Sequence, residues 1–83
     1  FDARMRRRLK LRDFDTLIAV VQRGSMAKAA AHLAVSQPTV SKAVADMEHA
    51  LGLRLFDRTA QGVQPNQYGR ALLKWAVAVF DDL

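Results

Sequence analysis

Residues 25–52 have the sequence SMAKAAAHLAVSQPTVSKAVADMEHALG, whose pattern predicts two consecutive helices. Its first part, residues 26–33, is rich in alanine, which favours a helix and leaves room for another helix to pack closely. Ser25 can cap that helix, and Ser36 can cap a second one whose first turn contains Pro38. Two short helices separated by so brief a break predict a helix-turn-helix.

The flanking segments predict one helix upstream, and a hairpin and another helix downstream. Apolar residues recur at three- and four-residue steps on one face of a first helix, which Gly24 ends. After Gly52, residues 53–58 predict a short strand, followed by a turn and a second strand that reaches Pro65. Asn66 is placed to cap the last helix. The apolar faces of the first and third helices comprise Leu11, Phe14, Leu17, Ile18, Val21, Val40, Val44, Met47 and Leu51.

The size and composition fit one small domain, because 83 residues with 51% apolar content support a single core. The chain has no cysteine, which excludes a disulfide framework, a thiolate metal site and a cysteine nucleophile, and which fits a reducing compartment. The longest apolar stretch, residues 75–80, is far shorter than the roughly 20 residues that span a bilayer. The start of the chain has no apolar signal region. We therefore expect a cytoplasmic protein with no membrane partner.

The net charge of +5 is concentrated at the start of the chain. From Phe14 onward the chain has seven basic and six acidic residues, so net charge alone does not identify a DNA-binding protein. Residues 1–10 form a basic N-terminal extension. This extension either contacts phosphates or is a solvated tail, and composition leaves both interpretations open. Six of the thirteen basic residues are Arg4, Arg6, Arg7, Arg8, Lys10 and Arg12.

The third helix divides into a polar start and an acidic later part. Asp46 and Glu48 would repel phosphates, whereas free N–H groups and the positive end of the dipole at the helix start attract them. Gln37 can pair with an adenine through its amide, and Lys42 can reach a guanine or a phosphate. We expect the start of this helix to enter the major groove of DNA. The residues involved are Ser36, Gln37, Pro38, Thr39, Ser41 and Lys42.

A set of short motifs resembles the N-terminal signature of LysR-type transcriptional regulators. In order along the chain, the motifs are Ser-Gln-Pro, Ser-Lys, Leu-Gly and Leu-Phe-x-Arg, and the match covers almost everything from Leu11 to Leu83. No single dipeptide is specific, but this order and spacing form a strong combined signal. The matching residues are Gly24, Ser25, Ala29, Ala30, Leu33, Ser36, Gln37, Pro38, Val40, Ser41, Lys42, Glu48, Leu51, Gly52, Leu55, Phe56, Asp57, Arg58 and Gly69.

The resemblance implies a mainly α fold: a winged helix-turn-helix with a three-helix core, a two-stranded wing and a C-terminal linker helix. Residues 11–66 would form the DNA-binding domain, and residues 67–83 a linker and dimerisation helix. A domain that binds a small-molecule effector would follow, in a bacterial regulator associated with the nucleoid. By similarity, Gln37, Pro38, Ser41 and Lys42 would contact bases or backbone. Arg58, Gln61 and Gly62 would lie near phosphates or the minor groove.

Three positions depart from the family pattern. Gln61 stands where a basic residue is frequent before the wing glycine, which puts a strong minor-groove charge in doubt. Lys42 stands where arginine is common, and lysine lacks arginine's planar fork. Pro65 and Asn66 replace a frequent leucine-threonine pair, although asparagine can cap a helix as well as threonine can.

The last helix predicts a partner helix. From Leu72 to Phe80 only Lys74 is charged, and apolar side chains cover most of the circumference of the helix. Such a helix is expected to pack against two neighbours, its own domain and a partner helix. Leu73, Val77 and Phe80 can face the domain. The alternative is burial by more of the same chain. The face predicted to contact a second copy, in a homodimer or higher oligomer, comprises Leu72, Ala76, Val79 and Leu83.

An enzyme is not expected, because the chain lacks a phosphate-cradling glycine loop and offers only His32 and His49 as neutral-pH bases. The spacing of the two histidines matches no metal-ligand pattern, so we predict neither catalytic residues nor a metal or cofactor. The expected partner is an operator in double-stranded DNA, in the form of an inverted repeat. At the start of the third helix, the alternative is that Ser36 and Pro38 only start a helix and Lys42 is a solvated charge. For the function, one alternative is a winged-helix module that binds another protein. Another is nonspecific binding of nucleic acid through the arginine-rich tail.

Overall fold

The computed structural model describes residues 11–60 and 62–81. In chain order these residues form helices α1 (Leu11–Arg23), α2 (Met26–Leu33) and α3 (Gln37–Leu51), strands β1 (Phe56–Thr59) and β2 (Gly62–Pro65), and helix α4 (Gln67–Asp81). The two strands pair antiparallel, with Phe56 opposite Pro65 and Thr59 opposite Gly62. This architecture confirms the predicted three-helix core, two-stranded wing and C-terminal helix.

The core lies where α1, α2 and α3 meet. Leu17 and Val20 of α1 are fully buried, and Ala29 of α2 is buried between its neighbours because its small side chain lets helices approach closely. The predicted stripe of α3 is buried at Val40, Val44 and Met47 and is half-buried at Leu51. The face of α3 opposite this stripe therefore points outward.

Local hydrogen bonds fix the helix ends, as the sequence predicts. Ser25 Oγ accepts a hydrogen bond from Lys28 N at 3.0 Å, and Ser36 Oγ accepts one from Thr39 N at 3.3 Å. Gly52 ends α3 in the left-handed region at φ 70°. Ala34 ends α2 at φ 59°, a conformation that costs a residue with a Cβ about 1–2 kcal/mol. This strained residue forms the turn between α2 and α3.

The wing is shorter than predicted and lies against the turn between α1 and α2. The first strand begins at Phe56 rather than at Leu53, because Leu53 N donates to Glu48 O and still belongs to the end of α3. Val63 N donates to Gly24 O at 3.2 Å. A Cβ at Gly62 would collide with that same carbonyl oxygen, and Gly62 has φ +131°. A glycine is therefore required where the wing meets the helical core.

Helix α4 packs along α1, and its orientation corrects one prediction. The rings of Phe14 and Trp75 lie 5.3 Å apart, centroid to centroid, at a tilt of 56°. Leu72 and Ala76 are 2% and 0% exposed, so they face the chain's own core and not a partner, whereas Val77 is 43% exposed. The spacing of these residues correctly predicts an apolar stripe on the helix. It does not indicate whether that stripe contacts the chain's own domain or a partner helix.

Two further residues of the predicted partner face cannot be assigned, since Leu83 and the side chain of Val79 lie outside the described part of the chain. The side chain of Phe80 does as well. Within the described residues, no helix combines the length and the apolar character needed to cross a membrane.

Candidate nucleic-acid interface

The start of α3 presents a continuous polar surface. Gln37, Pro38, Thr39 and Lys42 are exposed, and Ser41 is half-buried. These side chains point outward because Val40 and Val44, on the other side of the same turns, anchor the helix in the core. One and a half turns of helix therefore carry amide, hydroxyl, apolar and cationic groups on one accessible surface.

The backbone at this helix start offers fewer free donors than a helix end usually does. Pro38 has no N–H, and the N–H groups of Thr39 and Val40 donate to Ser36 Oγ and Ser36 O. Of the N–H groups in this first turn, only that of Gln37 has no partner among the described residues. Anion binding at this end therefore depends mainly on side chains and the helix dipole.

Lys42 is paired within α3. Its Nζ lies 2.8 Å from Asp46 Oδ2 one turn later, and the two side chains are 78% and 65% exposed. So exposed a pair adds little to stability. Its consequence is electrostatic, because the carboxylate offsets the charge of the one cation on the polar surface.

A small cleft of about 120 Å³ separates α3 from the wing. We call it the wing cleft. Arg54 and Arg58 line it from the hairpin side, and Ser41 lines it from α3. Both arginines are exposed, whereas the Glu48 carboxylate in the same cleft accepts a hydrogen bond from Leu55 N at 2.7 Å. The two guanidinium groups therefore form a cationic wall beside the exposed surface of α3.

Sequence reasoning missed Arg54. Its position four residues before Arg58 on an extended segment places both side chains on the same side of the chain, and this periodicity would have identified it. Gly62, a predicted DNA contact, lies half-buried against Gly24 at the start of β2. Gln61, also predicted, lies outside the described residues.

A larger and more open cleft of about 470 Å³ lies on the opposite flank of α3, against α1. We call it the α1 cleft. Three carboxylates, Asp13, Asp15 and Asp46, line it together with the cations Arg12 and Lys42. The wing cleft has two cations and one carboxylate, so α3 separates a cationic flank from an acidic one.

The two histidines are placed apart from this surface. Arg23 Nη2 lies 2.8 Å from His32 Nδ1, which joins the C-terminal parts of α1 and α2, and His49 is exposed on α3. In the described part of the chain, no three histidine or acidic side chains form a group that could hold a metal ion.

A capped, exposed third helix beside a two-stranded hairpin is the arrangement of a winged helix-turn-helix domain. The family model "Bacterial regulatory helix-turn-helix protein, lysR family" matches residues 11–70. The chain belongs to this family and is the DNA-binding domain of a LysR-type transcriptional regulator. Because the members are transcription regulators, the prediction that the chain is not an enzyme is confirmed.

Two bacterial regulators illustrate the relationship. The chain is 38% identical over 79 residues to the HTH-type transcriptional regulator GbpR of Azospirillum brasilense, a match that covers 95% of this chain and 23% of GbpR. It is 42% identical over 74 residues to the HTH-type transcriptional regulator YdcI of Escherichia coli K12, covering 89% of this chain and 24% of YdcI. The chain spans about a quarter of the length of the curated relatives it matches.

Solved structures of DNA-binding domains share the fold. The CbnR domain in its DNA complex superimposes with a TM-score of 0.83 at 33% identity, over 88% of this chain and 84% of that one. The BenM domain in complex with benA site 1 DNA superimposes with a TM-score of 0.84 at 28% identity, over 89% and 83% of the two chains.

Proposed function

We propose that this chain binds operator DNA sequence-specifically as a dimer, with one α3 helix of each copy in the major groove of an inverted repeat. The observation that carries the proposal is the polar, exposed start of α3 flanked by the cationic wing cleft. A helix start placed this way can bring side chains to base edges while neighbouring cations hold the phosphates. Domains of CbnR and BenM with the same fold were solved in complex with DNA, which supports DNA as the partner of this chain.

Within this proposal, the side chains at the start of α3 divide into two groups. Gln37 and Ser41, four residues apart, share the side of the helix that faces the wing and contact bases there. Pro38 offers an apolar ring to a thymine methyl, and Lys42 reaches guanine or phosphate. Ser36 instead positions the helix, because its oxygen is used by Thr39 N and lies 2.8 Å from Thr39 Oγ1.

The arginines of the wing cleft and residues 61–62 would contact phosphates. Arg54 and Arg58 have no ion-pair partner among the described residues, so their charge is available to DNA. Phosphate contacts fix the register of the domain on the duplex and give binding its dependence on salt.

The second copy would pair through the outer face of α4. Tyr68 and Val77 are 50% and 43% exposed, and Ala71 and Ala78 are exposed as well. Tyr68, Ala71 and Ala78 follow a three-seven spacing on one side of the helix, and the small alanines allow close approach. We propose this face for dimerisation in place of the buried Leu72 and Ala76. Two copies so paired would place their α3 helices in successive major grooves about 34 Å apart.

Selection of bound duplexes from a random DNA pool at near-physiological salt tests the proposal. An enriched inverted repeat with two half-sites about one helical turn apart is the expected result. Enrichment of a single unrepeated motif would contradict the dimer. If no sequence is enriched while binding persists at low salt, the contact is electrostatic only, and a protein-binding function becomes the better explanation.

A further inference from the structure

Asn66 joins the entry of the wing to α4 through its side chain and its backbone N–H. Its side-chain Oδ1 accepts from Tyr68 N at 2.9 Å and from Gly69 N at 3.0 Å, which caps α4. Its Nδ2 donates to Arg54 O at 2.9 Å, and its backbone N donates to Leu55 O at 2.9 Å. One amide side chain therefore caps a helix and tethers the entry to the wing at the same time.

The segment tethered by Asn66 is also held by α3. Leu55 N donates to the Glu48 carboxylate at 2.7 Å, and the Leu55 side chain is fully buried. On the other side, Gly69 of α4 approaches so closely that a Cβ there would collide with Leu55 O. Residues 54–55 are consequently clamped between α3 and the first turn of α4.

We propose that Asn66 is a positioning residue that fixes the angle between α4 and α3 and thereby selects the spacing between the two half-sites of the operator. This inference rests on the proposed dimer. If two copies pair through α4, the orientation of each α4 on its own domain determines the distance and the angle between the two α3 helices. The Asn66 side chain ties the start of α4 to the wing entry, and Glu48 ties the wing entry to α3. Arg70 of α4 adds a second tie, because its Nη1 donates to Pro65 O at 2.9 Å.

The physical consequence is a loss of affinity for operators in which the spacer, the base pairs between the two half-sites, has the wrong length. One extra base pair moves the second half-site by ~3.4 Å and rotates it by about 35°. A rigid joint cannot follow this displacement without breaking contacts at one half-site. Without the Asn66 hydrogen bond to Arg54 O, the contact between α4 and the wing entry bends at a lower cost in free energy. Such a variant would therefore bind operators with more spacer lengths.

The substitution Asn66→Asp isolates the tether from the cap. Aspartate is as good an N-cap residue as asparagine, but its carboxylate is an acceptor only and cannot donate to Arg54 O. The matched control is Gln67→Glu, which makes the same amide-to-carboxylate change at the neighbouring exposed position of α4. The two variants share the added negative charge, and only Asn66→Asp loses the tether.

The measurement is the affinity of the 83-residue chain for inverted repeats whose spacer is varied one base pair at a time, at constant salt. For the wild type, we expect one preferred spacer. In Asn66→Asp, the ratio of affinities between the preferred spacer and its neighbours should fall by about twofold to tenfold, the factor that one neutral hydrogen bond is worth. Gln67→Glu should keep the wild-type ratio.

Three results would overturn the inference. An unchanged spacer ratio in Asn66→Asp refutes it, and so does an equal drop in Gln67→Glu, which would indicate a charge effect. A wild type without any spacer preference refutes the proposed dimer first, and the inference with it. If circular dichroism shows that Asn66→Asp does not fold, Asn66→Ser decides in its place, because serine also caps a helix but is too short to reach Arg54 O while it caps.

Discussion

The two flanks of α3 differ in charge although they belong to one helix. Toward the wing, Arg54 and Arg58 outnumber the single carboxylate, which is already engaged by Leu55 N. Toward α1, three aspartates outnumber the two cations. A polyanion approaching α3 is therefore attracted on one side and repelled on the other, so the charge pattern sets the direction from which DNA arrives.

The largest expected effect comes from displacing the wing, which would break this asymmetry. Gly62→Ala places a Cβ against Gly24 O at φ +131°, so we expect a loss in the free energy of unfolding of more than about 2 kcal/mol. Chemical denaturation measures it. The control is Gly52→Ala, at φ +70° with open space around the new Cβ, where the left-handed conformation alone should cost about 1–2 kcal/mol. Equal losses in both variants would mean that the wing does not press on the helical core.

The next effect concerns base recognition on the wing-facing side of α3. Gln37→Ala should reduce discrimination at one base position of each half-site by ~1–3 kcal/mol, because the bidentate amide contact is lost. Thr39→Ala is the comparison and should change the profile less than Gln37→Ala does, since Thr39 lines the α1 cleft and its hydroxyl is bonded to Ser36. Preference profiles from pooled duplexes measure both. An unaltered profile for Gln37→Ala would assign base reading elsewhere on the helix.

Removing the cations of the wing cleft should weaken binding to every sequence alike. For the double variant Arg54→Ala with Arg58→Ala, we expect an affinity loss of about tenfold and a salt slope smaller by about 2 for each bound copy, ~0.9 for each phosphate contact. Affinity titrations over a range of salt concentrations give both values. The control is Arg12→Ala, on the acidic flank, which should change the salt slope by less than the double variant does. A double variant with the wild-type slope would exclude these arginines from the phosphate contact.

The smallest effect should come from the acidic flank itself. Asp46→Asn releases Lys42 from its ion pair, so binding to nonspecific DNA should strengthen and the salt slope should steepen by about 0.9 for each bound copy, the increment for one phosphate. Asp57→Asn, which removes an exposed carboxylate of the wing, is the control for a general change in net charge. If Asp46→Asn still steepens the slope in a Lys42→Ala background, Asp46 does not act through Lys42.

Features with a local cause were predictable from the sequence. Ser25, Ser36 and Asn66 were identified as caps because capping needs only a short polar side chain at the right position, and all three act so in the structure. The pairing of Lys42 with Asp46 follows an i,i+4 spacing and was also accessible, although it was not predicted. The positions that set helix ends were therefore determined by residues within a few places of one another.

Features that depend on distant parts of the chain were not predictable in the same way. The contact of Glu48 with Leu55 N requires the end of α3 to fold back on the wing entry, which no periodicity reports. The face of α4 that contains Leu72 and Ala76 was assigned to a partner, because the helical pattern gives the position of a stripe and not its neighbour. The DNA-contact residues themselves remain predictions, carried by their exposure and their place beside the wing.

The packing of Trp75 against Phe14 places a fluorescent side chain at the contact between α1 and α4. Trp75 is the only tryptophan of the chain, and its ring is half-buried at this contact. Indole emission shifts in wavelength and intensity when the surroundings of the ring change. The intrinsic fluorescence of the unmodified protein can therefore report, without any attached label, whether the contact between α1 and α4 changes when DNA is added.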